Sequence, residues 1–372
     1  MPNVSVKSLL SPGGVRLFLA MVVVVHHSLP LRAGSWAVDV FFVLSGYWIT
    51  RMWNTRYRQT RIPYITFLVS RWWRLAPVFL VCTVLGLGSA LLLREGSLVN
   101  AQANSAWWLR QLLIVGSSDA GRILPPTWSL DVEMQFYLIA PLLIWAFARL
   151  EPAWRWMIVT LLLLALVYFL GSGGYPESAR LWLFSGFFLA GLALALQNWR
   201  PSKRAFLGCL ALFVIGTITL AIIPQTRTGI WLEGKAAPVV GADIPIPVAS
   251  IWWTVGGVLV VPVVAASVAI RSSAFDRMLG DLAYPLYLFH WIPREWYYHF
   301  CGTNPGMALR MLLLAGDFAA ALLGAILILV LIDRPMERLR RAWVESREDQ
   351  SREDHLRKGA PAKVEVGLGD AP

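Results

Sequence analysis

Apolar runs of about 17 to 22 residues, the length that spans a bilayer as a helix, recur along almost the whole chain. Helices satisfy their own backbone hydrogen bonds inside lipid, so such runs are typical of membrane proteins. The pattern therefore predicts an all-α polytopic membrane protein with about ten transmembrane helices. The predicted spans lie near residues 16–31, 36–50, 75–93, 128–148, 156–171, 181–197, 205–223, 249–270, 283–299 and 311–332.

Basic residues are concentrated in alternate segments between these spans. If the N-terminus lies in the cytoplasm, the inner segments hold most of the 33 Lys and Arg residues. Positive charge is retained in the cytoplasm during insertion, so this asymmetry predicts that both termini are cytoplasmic. Residues 1–332 then form one membrane domain. Residues 333–372 are charged and lack apolar periodicity, which predicts a disordered cytoplasmic tail.

Composition excludes several classes of protein. The chain is 57% hydrophobic and only 15% charged, with a mean hydropathy of +0.58, whereas about a quarter of the residues in soluble proteins are charged. Three cysteines are too few for a disulfide framework. The net charge of +11 follows from topology, so no nucleic acid is expected. No HExxH or CxxC motif occurs, and no metal is expected.

The first span carries an arginine and a histidine pair, in a membrane segment where ionisable groups usually mark function. His27 follows Arg16 by eleven positions; this spacing returns the helix to within about 20° of the same face and rises roughly 16 Å. His26 points about 80° away and is the weaker candidate. A guanidinium can hold phosphate, and an imidazole suits general-base catalysis. The alternative is a packed core histidine with an arginine that only sets topology.

Acidic residues begin the fourth and second spans. Asp131 and Glu133, in WSLDVEMQFY, lie about 200° apart on a helix, so one can face the bundle interior while the other stays near the headgroups. Asp39 opens the second span, which forms a tight hairpin with the first. Either Asp39 or Glu133 could orient His27, as the third member of a relay does. The fourth-span segment also contains the candidate residues Trp128, Ser129 and Tyr137.

Two further segments carry candidate residues. The ninth span contains AYPLYLFHWIPREW, in which Tyr287 and His290 lie among aromatics. The second inner loop holds six arginines, of which Arg71 and Arg74 flank a span mouth. Snorkelling at the headgroups explains most of these arginines, but a polyphosphate such as coenzyme A would also bind there. A loop rich in Pro and Gly at 224–250 is a candidate cover for an outward-facing site.

Together these segments resemble the acyltransferase-3 family of integral membrane acyltransferases. The resemblance rests on Arg16 with ten residues before His27, and on five segments in the family's order. These segments are GSWAVDVFFVLSGYWIT, SRWWRLAP, WSLDVEMQFYLIAPLL, AYPLYLFHW and IDRP. They cover residues 13–335, nearly the whole membrane domain, and the predicted ten spans agree with the family's fold.

The resemblance implies transfer of an acyl group, usually acetyl, from cytoplasmic acyl-CoA to a hydroxyl, commonly on a cell-envelope glycan. Some members carry a fused extracytoplasmic hydrolase-like domain. Since this chain has only a short tail, we expect the acyl group to reach the acceptor hydroxyl at the membrane domain or through a separate extracytoplasmic partner. Localisation in the bacterial inner membrane, in contact with membrane lipid, is the corresponding expectation.

The resemblance also assigns roles by position. It makes Arg16 and His27 the essential pair and Glu133 the acidic motif residue. The basic motif falls on Arg71 and Arg74. The late aromatic motif falls on Tyr287 and His290. The chain departs from the family pattern at Ala283, where serine is common, and at Asp333, where glutamate is usual.

We therefore expect His27 to accept a proton from the acceptor hydroxyl or to carry the acyl group transiently, while Arg16 holds the CoA phosphates. Two rival classes stay open. A glycan exporter or flippase would consume no acyl-CoA, and in the unrelated membrane-bound acyltransferase type His290 would be the indispensable histidine. The acceptor can be lipopolysaccharide, exopolysaccharide, peptidoglycan, a lipid-linked sugar or a small metabolite, and acyl length and oligomeric state are left open.

Overall fold

The computed structural model describes residues 10–28, 34–93, 105–117, 123–171, 180–222, 248–302 and 306–357. Helices dominate these ranges and no strand occurs within them, so the predicted all-α membrane protein is confirmed. The first seven helices are α1 (Pro12–Ser28), α2 (Ser35–Thr55), α3 (Pro63–Leu92), α4 (Ser105–Leu113), α5 (Trp128–Arg149), α6 (Pro152–Gly171) and α7 (Leu181–Gln197). The next seven are α8 (Lys203–Ile222), α9 (Val248–Leu259), α10 (Val261–Val268), α11 (Ala274–Phe289), α12 (Trp291–Cys301), α13 (Met307–Ile328) and α14 (Arg334–Arg357).

Among the described residues, five helical segments are long and apolar enough to cross a bilayer. They are Pro63–Leu92, Pro125–Arg149, Pro152–Leu170, Ile251–Val268 and Met307–Ser351. The apolar helices α1 and α7 are shorter. The chain is thus an integral membrane protein, while the count of ten spans and the cytoplasmic position of both termini stay predictions.

Small residues allow the central helices to approach closely. Helix α2 packs along α7, and a Cβ built at Gly46 would lie 2.0 Å from the Phe188 carbonyl oxygen. A Cβ at Gly191 would lie 1.9 Å from the Val43 carbonyl oxygen. Because lipid gives no hydrophobic reason for helices to associate, such close backbone packing is a main source of cohesion in membranes. Helix α2 is therefore held against α7.

Helices α1 and α11 form a second close pair, which begins at their N-terminal ends. The Asp276 carboxylate of α11 accepts hydrogen bonds from the Ser11 hydroxyl and, at 2.8 Å, from the Gly14 amide. A carboxylate at this position satisfies free amides at the start of α1 and complements its helix dipole. At Gly280 a Cβ would lie only 3.1 Å from the Gly13 Cα, so α1 begins directly against the α11 backbone.

The same two helices meet again at their C-terminal ends. The ring of His27, in the last turn of α1, contacts the ring of His290, which directly follows α11. From Gly14 to His27 and from Asp276 to His290 the chain advances by nearly equal lengths, about 20 Å as helix. Helices α1 and α11 therefore run parallel and in register, fixed at both ends.

Three predictions about the extent of the helices are wrong. The third span begins at Pro63 rather than near residue 75, so Arg71 and Arg74 lie on α3 and not in a loop. The predicted ninth span, residues 283–299, is divided between two helices, α11 and α12, that meet at His290. The tail predicted to be disordered is helical over Arg334–Arg357. Parts of three predicted segments lie outside the described residues. They are residues 29–31 of the first span, residues 223–247, which include most of the cover loop, and residues 358–372 of the tail.

Ion pairs and buried hydrogen bonds explain why the C-terminal segment is helical despite its polarity. Glu337 pairs with Arg340 and Arg341, three and four residues later, which stabilises a helix. Arg340 also donates a hydrogen bond to Ser70 of α3 at 2.5 Å. Helix α14 is therefore attached to the membrane domain through α3.

Candidate active site

Two histidines from distant parts of the sequence form the centre of the site. His27 Nδ1 lies 3.0 Å from His290 Nε2. The rings are stacked, with centroids 5.1 Å apart and an interplanar angle of 19°. His290 is fully buried and His27 is half-buried. The α1–α11 pair thus brings together an accessible imidazole and a buried one.

Helix α12 surrounds His27 with further groups. The Arg294 Nε donates a hydrogen bond of 2.6 Å to the His27 carbonyl oxygen. Its guanidinium lies 4.0 Å from the centroid of the Trp291 ring and 4.5 Å from that of Tyr298. Trp291 also contacts the His27 ring edge-on, with centroids 5.2 Å apart. The end of α1 and the His27 ring are therefore held by α12, which begins directly after His290.

Arg16 lies near the opposite end of α1 and has a different environment. Its guanidinium lies 5.9 Å from the centroid of the Trp48 ring. The charged groups that act on it are Arg74, Glu133 and Asp281. Across the described ranges, no side chain makes a hydrogen bond or ion pair with Arg16. Arg16 is therefore a partly accessible cation that the protein itself does not neutralise by direct contact.

Glu133 lies in the region of Arg16 and not beside His27. Its carboxylate accepts hydrogen bonds from the Ser45 hydroxyl, at 2.8 Å, and from the Tyr137 hydroxyl. Asp131 points elsewhere, as the 200° spacing requires: it is fully buried and accepts hydrogen bonds from the Gly116 amide and the Gln135 side chain. Both acids therefore bond to other residues of the protein, and the expectation that one of them stays near the headgroups remains a prediction.

Asp39 does not orient His27 either. It is 5% exposed and packs against α9, where a Cβ built at Gly257 would lie 3.0 Å from the Asp39 Cβ. Both acids proposed from the sequence as orienting groups for His27 thus have other neighbours. In the described part of the chain the ring of His27 is bonded by His290 instead.

Arg71 and Arg74 already have partners within the protein. The Arg71 guanidinium donates to the Tyr57 hydroxyl at 2.6 Å, and this side chain is 7% exposed. Arg74 forms an ion pair with Asp333 in the π-helical turn Leu329–Asp333 that joins α13 to α14. Of the three arginines predicted to bind a phosphate-rich donor, Arg16 is the one whose guanidinium the described residues leave available.

The remaining motif residues connect α5 with α11 and α7. The Tyr287 hydroxyl donates to the Pro126 carbonyl oxygen at 2.9 Å and lies 2.8 Å from the Ser129 hydroxyl. Trp128 packs against Phe184, with centroids 5.1 Å apart. These contacts lie inside the bundle, which makes Trp128, Ser129 and Tyr287 residues that hold the helices around the site.

Sequence reasoning missed three charged residues of this region: Arg294, Asp276 and Asp281. Asp276 could have been recognised from SSAFD, because a serine three residues before an acid is a helix-start signal. Arg294 lies in AYPLYLFHWIPREW, but its contact is with the His27 backbone, 267 positions away in the chain. No local pattern indicates that Asp281 lies near Arg16.

A groove of about 480 Å³ opens between α5, α6 and α7. Its lining is almost entirely apolar and includes Phe136, Leu162 and Phe188. None of the predicted catalytic or phosphate-binding residues lines it. The groove therefore does not include the candidate site around α1.

Comparison with known proteins gives one matching family. A family model described as an acyltransferase domain matches residues 10–343. The O-acetyltransferase OatA of Staphylococcus aureus (strain NCTC 8325 / PS 47) is 32% identical over 169 residues, which are 41% of this chain and 27% of OatA. The chain therefore spans about a quarter of the length of OatA.

Two relatives match over most of the chain. The putative membrane-bound transacylase BcsY of Komagataeibacter xylinus is 25% identical over 345 residues, 86% of this chain and 78% of BcsY. The exopolysaccharide production protein ExoZ of Rhizobium meliloti (strain 1021) is 27% identical over 344 residues, 85% of this chain and 93% of ExoZ. No solved structure matches the chain. With a family match over most of its length, the chain belongs to the acyltransferase-3 family of integral membrane proteins.

Proposed function

We propose that this protein is a membrane O-acyltransferase, which moves an acyl group, acetyl in the simplest case, from acyl-CoA to a hydroxyl of a cell-envelope glycan or lipid-linked sugar. One observation carries the proposal. Arg16, whose guanidinium makes no hydrogen bond or ion pair among the described residues, and His27, a half-buried imidazole, lie on the same helix. Their separation along α1 is roughly 16 Å, which the long pantetheine arm of CoA can bridge.

The chemistry needs a base and correct positioning. The acceptor hydroxyl gives its proton to an unprotonated ring nitrogen of His27 as its oxygen forms a bond to the thioester carbonyl carbon. The carbon–sulfur bond then breaks, and the leaving CoA thiolate takes the proton from His27, so that the ring returns to its starting state. A base placed in this way contributes about 10² to 10⁴-fold in rate. Holding donor and acceptor together supplies much of the remainder.

The donor site in this proposal consists of Arg16 with Glu133 nearby. A guanidinium matches the geometry of phosphate oxygens. Glu133 contributes a negative charge near Arg16 and is itself fixed by Ser45 and Tyr137. Arg71 and Arg74, which the protein already engages, shape this end of the bundle instead of holding the phosphates.

The relatives support the acceptor class. The names of OatA and ExoZ refer to O-acetyl transfer and to exopolysaccharide production. An envelope polysaccharide is accordingly the acceptor that we propose, with the protein in the bacterial inner membrane and its donor supplied from the cytoplasm.

Mass spectrometry of envelope glycans tests the function. Cells that make the wild-type protein should carry acyl-modified glycans, and cells that make His27→Ala at equal membrane levels should lack the modification. His26→Ala is the matched control, because His26 points about 80° away from the helix face that Arg16 and His27 share. Full modification in His27→Ala cells, or unmodified glycans in wild-type cells, would reject the proposal; the second result is what an exporter would give.

The KM for acyl-CoA tests the donor site. Arg16→Ala should raise this KM, since a charge-assisted phosphate contact is worth about 1.5–3 kcal/mol, or roughly 10- to 100-fold. Arg71→Ala is the comparison variant, because the guanidinium of Arg71 is already bonded by Tyr57. We expect it to reduce the amount of folded protein and to leave the KM unchanged. An unchanged KM in Arg16→Ala would remove the phosphate role of Arg16.

A further inference from the structure

His290 has a defined hydrogen-bonding arrangement on both ring nitrogens. Its Nδ1 lies 3.2 Å from the Leu286 carbonyl oxygen, one helical turn earlier, and its Nε2 lies 3.0 Å from His27 Nδ1. A carbonyl oxygen only accepts hydrogen bonds. The nitrogen that faces Leu286 must therefore carry the hydrogen, and in a neutral ring Nε2 then carries the lone pair.

His290 is best satisfied as a neutral ring. It is 0% exposed, and an ionised group buried away from water is unfavourable unless an opposite charge pairs with it. The charged groups that act on His290 include Arg294, which is also positive. A neutral His290 is thus an acceptor toward His27, and His27 Nδ1 is the donor.

The orientation of His27 follows from this arrangement. With its hydrogen on Nδ1, the neutral His27 ring has its lone pair on Nε2. The carbonyl of Val23, one turn earlier, also lies near the ring, but the hydrogen-bond geometry is met toward His290. Stacking on His290 and the edge contact with Trp291 restrict rotation of the ring. One tautomer and one ring orientation are thereby selected.

We infer that His290 is a positioning residue, which holds His27 in the Nδ1–H tautomer and so makes His27 Nε2 the base for acyl transfer. The inference rests on the proposed function and deepens it. In relay sites a third group usually orients the base in this way. Here an imidazole backed by a main-chain carbonyl replaces the carboxylate that the sequence suggested. The hydrogen between the rings stays on His27, so His290 transfers no proton.

Two substitutions of His290 separate the acceptor from the ring that carries it. His290→Gln can place an amide oxygen close to the position of Nε2, whereas His290→Phe keeps the ring volume without an acceptor. We expect His290→Phe to lower kcat about 100-fold, within the range that a positioned base contributes, with the KM for acyl-CoA unchanged. His290→Gln should recover most of the lost kcat. Membrane levels and melting temperature in detergent verify that each variant is folded.

The tautomer can be observed directly. In solid-state NMR of ¹⁵N-histidine-labelled protein, protonated and unprotonated ring nitrogens have well-separated shifts, and His27→Ala identifies the His27 signals. We expect a protonated Nδ1 in the wild type and in His290→Gln, and loss of this preference in His290→Phe. A His27 that keeps the Nδ1–H form in folded His290→Phe would overturn the inference, since the Val23 carbonyl would then suffice.

The kinetic results distinguish failure of this inference from failure of the proposed function. If His27→Ala is inactive while His290→Phe keeps the wild-type kcat, His27 acts without His290 and only the inference is rejected. If His27→Ala retains full acyl transfer, the proposed function of His27 is rejected whatever the result for His290. Equal loss of kcat in His290→Phe and His290→Gln, with both folded, would also reject the acceptor role.

Discussion

At Gly13 the backbones of α1 and α11 approach so closely that no side chain fits between them. A Cβ built on Gly13 would lie 1.7 Å from the Asp276 carbonyl oxygen and 2.6 Å from its carbonyl carbon. Ordinary van der Waals contact begins at 3.4 Å, so Gly13→Ala must move the two backbones apart by more than an ångström. The obstacle is main chain and cannot rotate away.

This displacement should reach the histidines at the other end of the pair. The His27–His290 bond is 3.0 Å long, and an increase of about 0.5 Å brings it to the limit for a hydrogen bond. Overpacking of this kind costs about 1–3 kcal/mol of stability. We expect Gly13→Ala to melt at a lower temperature in detergent. We also expect it to lose at least about 10-fold in acyl-CoA turnover, which corresponds to about 1.4 kcal/mol in the activation free energy.

Gly316→Ala in α13 is the matched control. A Cβ on Gly316 meets nothing within 4 Å, and alanine in place of glycine inside a helix contributes up to about 1 kcal/mol of helix propensity. This variant should equal or exceed the wild type in both measurements. Gly13→Ala protein with the melting temperature and turnover of Gly316→Ala would refute the account of α1 packing.

Two further predictions concern ionised groups. Burial raises the pKa of Asp276, but hydrogen bonds from Ser11, Ser272 and the Gly14 and Gly13 amides together lower it below the ordinary 3.8. Its carboxylate thus stabilises the fold above that pH, and this contribution is lost as the pH falls through the lowered pKa. Melting temperatures of the wild type and Asp276→Asn should therefore converge below pH ~4, and a constant difference would contradict the assignment. Asp333→Asn removes the partner of Arg74, whose side chain is 23% exposed, so we expect a loss of about 3 kcal/mol in denaturant unfolding. Asp333→Glu keeps the charge and should recover most of this loss; equal stability of the two variants would show that the ion pair does not contribute.

Local sequence patterns were sufficient to predict an all-α membrane protein. Span length and hydropathy depend on neighbouring residues, and so does the spacing that places Arg16 and His27 on one side of a helix. The predicted start of α3 was less accurate, because hydropathy does not show that arginines can continue inside a helix. In α3 the polar groups at Arg71 and Arg74 continue inside the helix, since Tyr57 and Asp333 satisfy them.

Contacts between distant segments could not be predicted. His27 and His290 are 263 positions apart in the chain, and their meeting depends on the register of α1 on α11. The sequence suggested carboxylates as partners because relays often use them. In the structure Asp39 is buried against Gly257, and Glu133 is bonded by Ser45. Such a choice between several plausible partners requires the packing of the whole bundle.

Label transfer by the purified protein tests the central role of His27 most directly. The wild type, His26→Ala and His27→Ala would be reconstituted in proteoliposomes with radiolabelled acetyl-CoA inside and an envelope glycan fraction as acceptor. The account predicts that label appears in the glycan with the wild type and with His26→Ala, and that His27→Ala gives at most about one hundredth of that rate. Transfer by His27→Ala at the wild-type rate would contradict the assignment of His27 as the base.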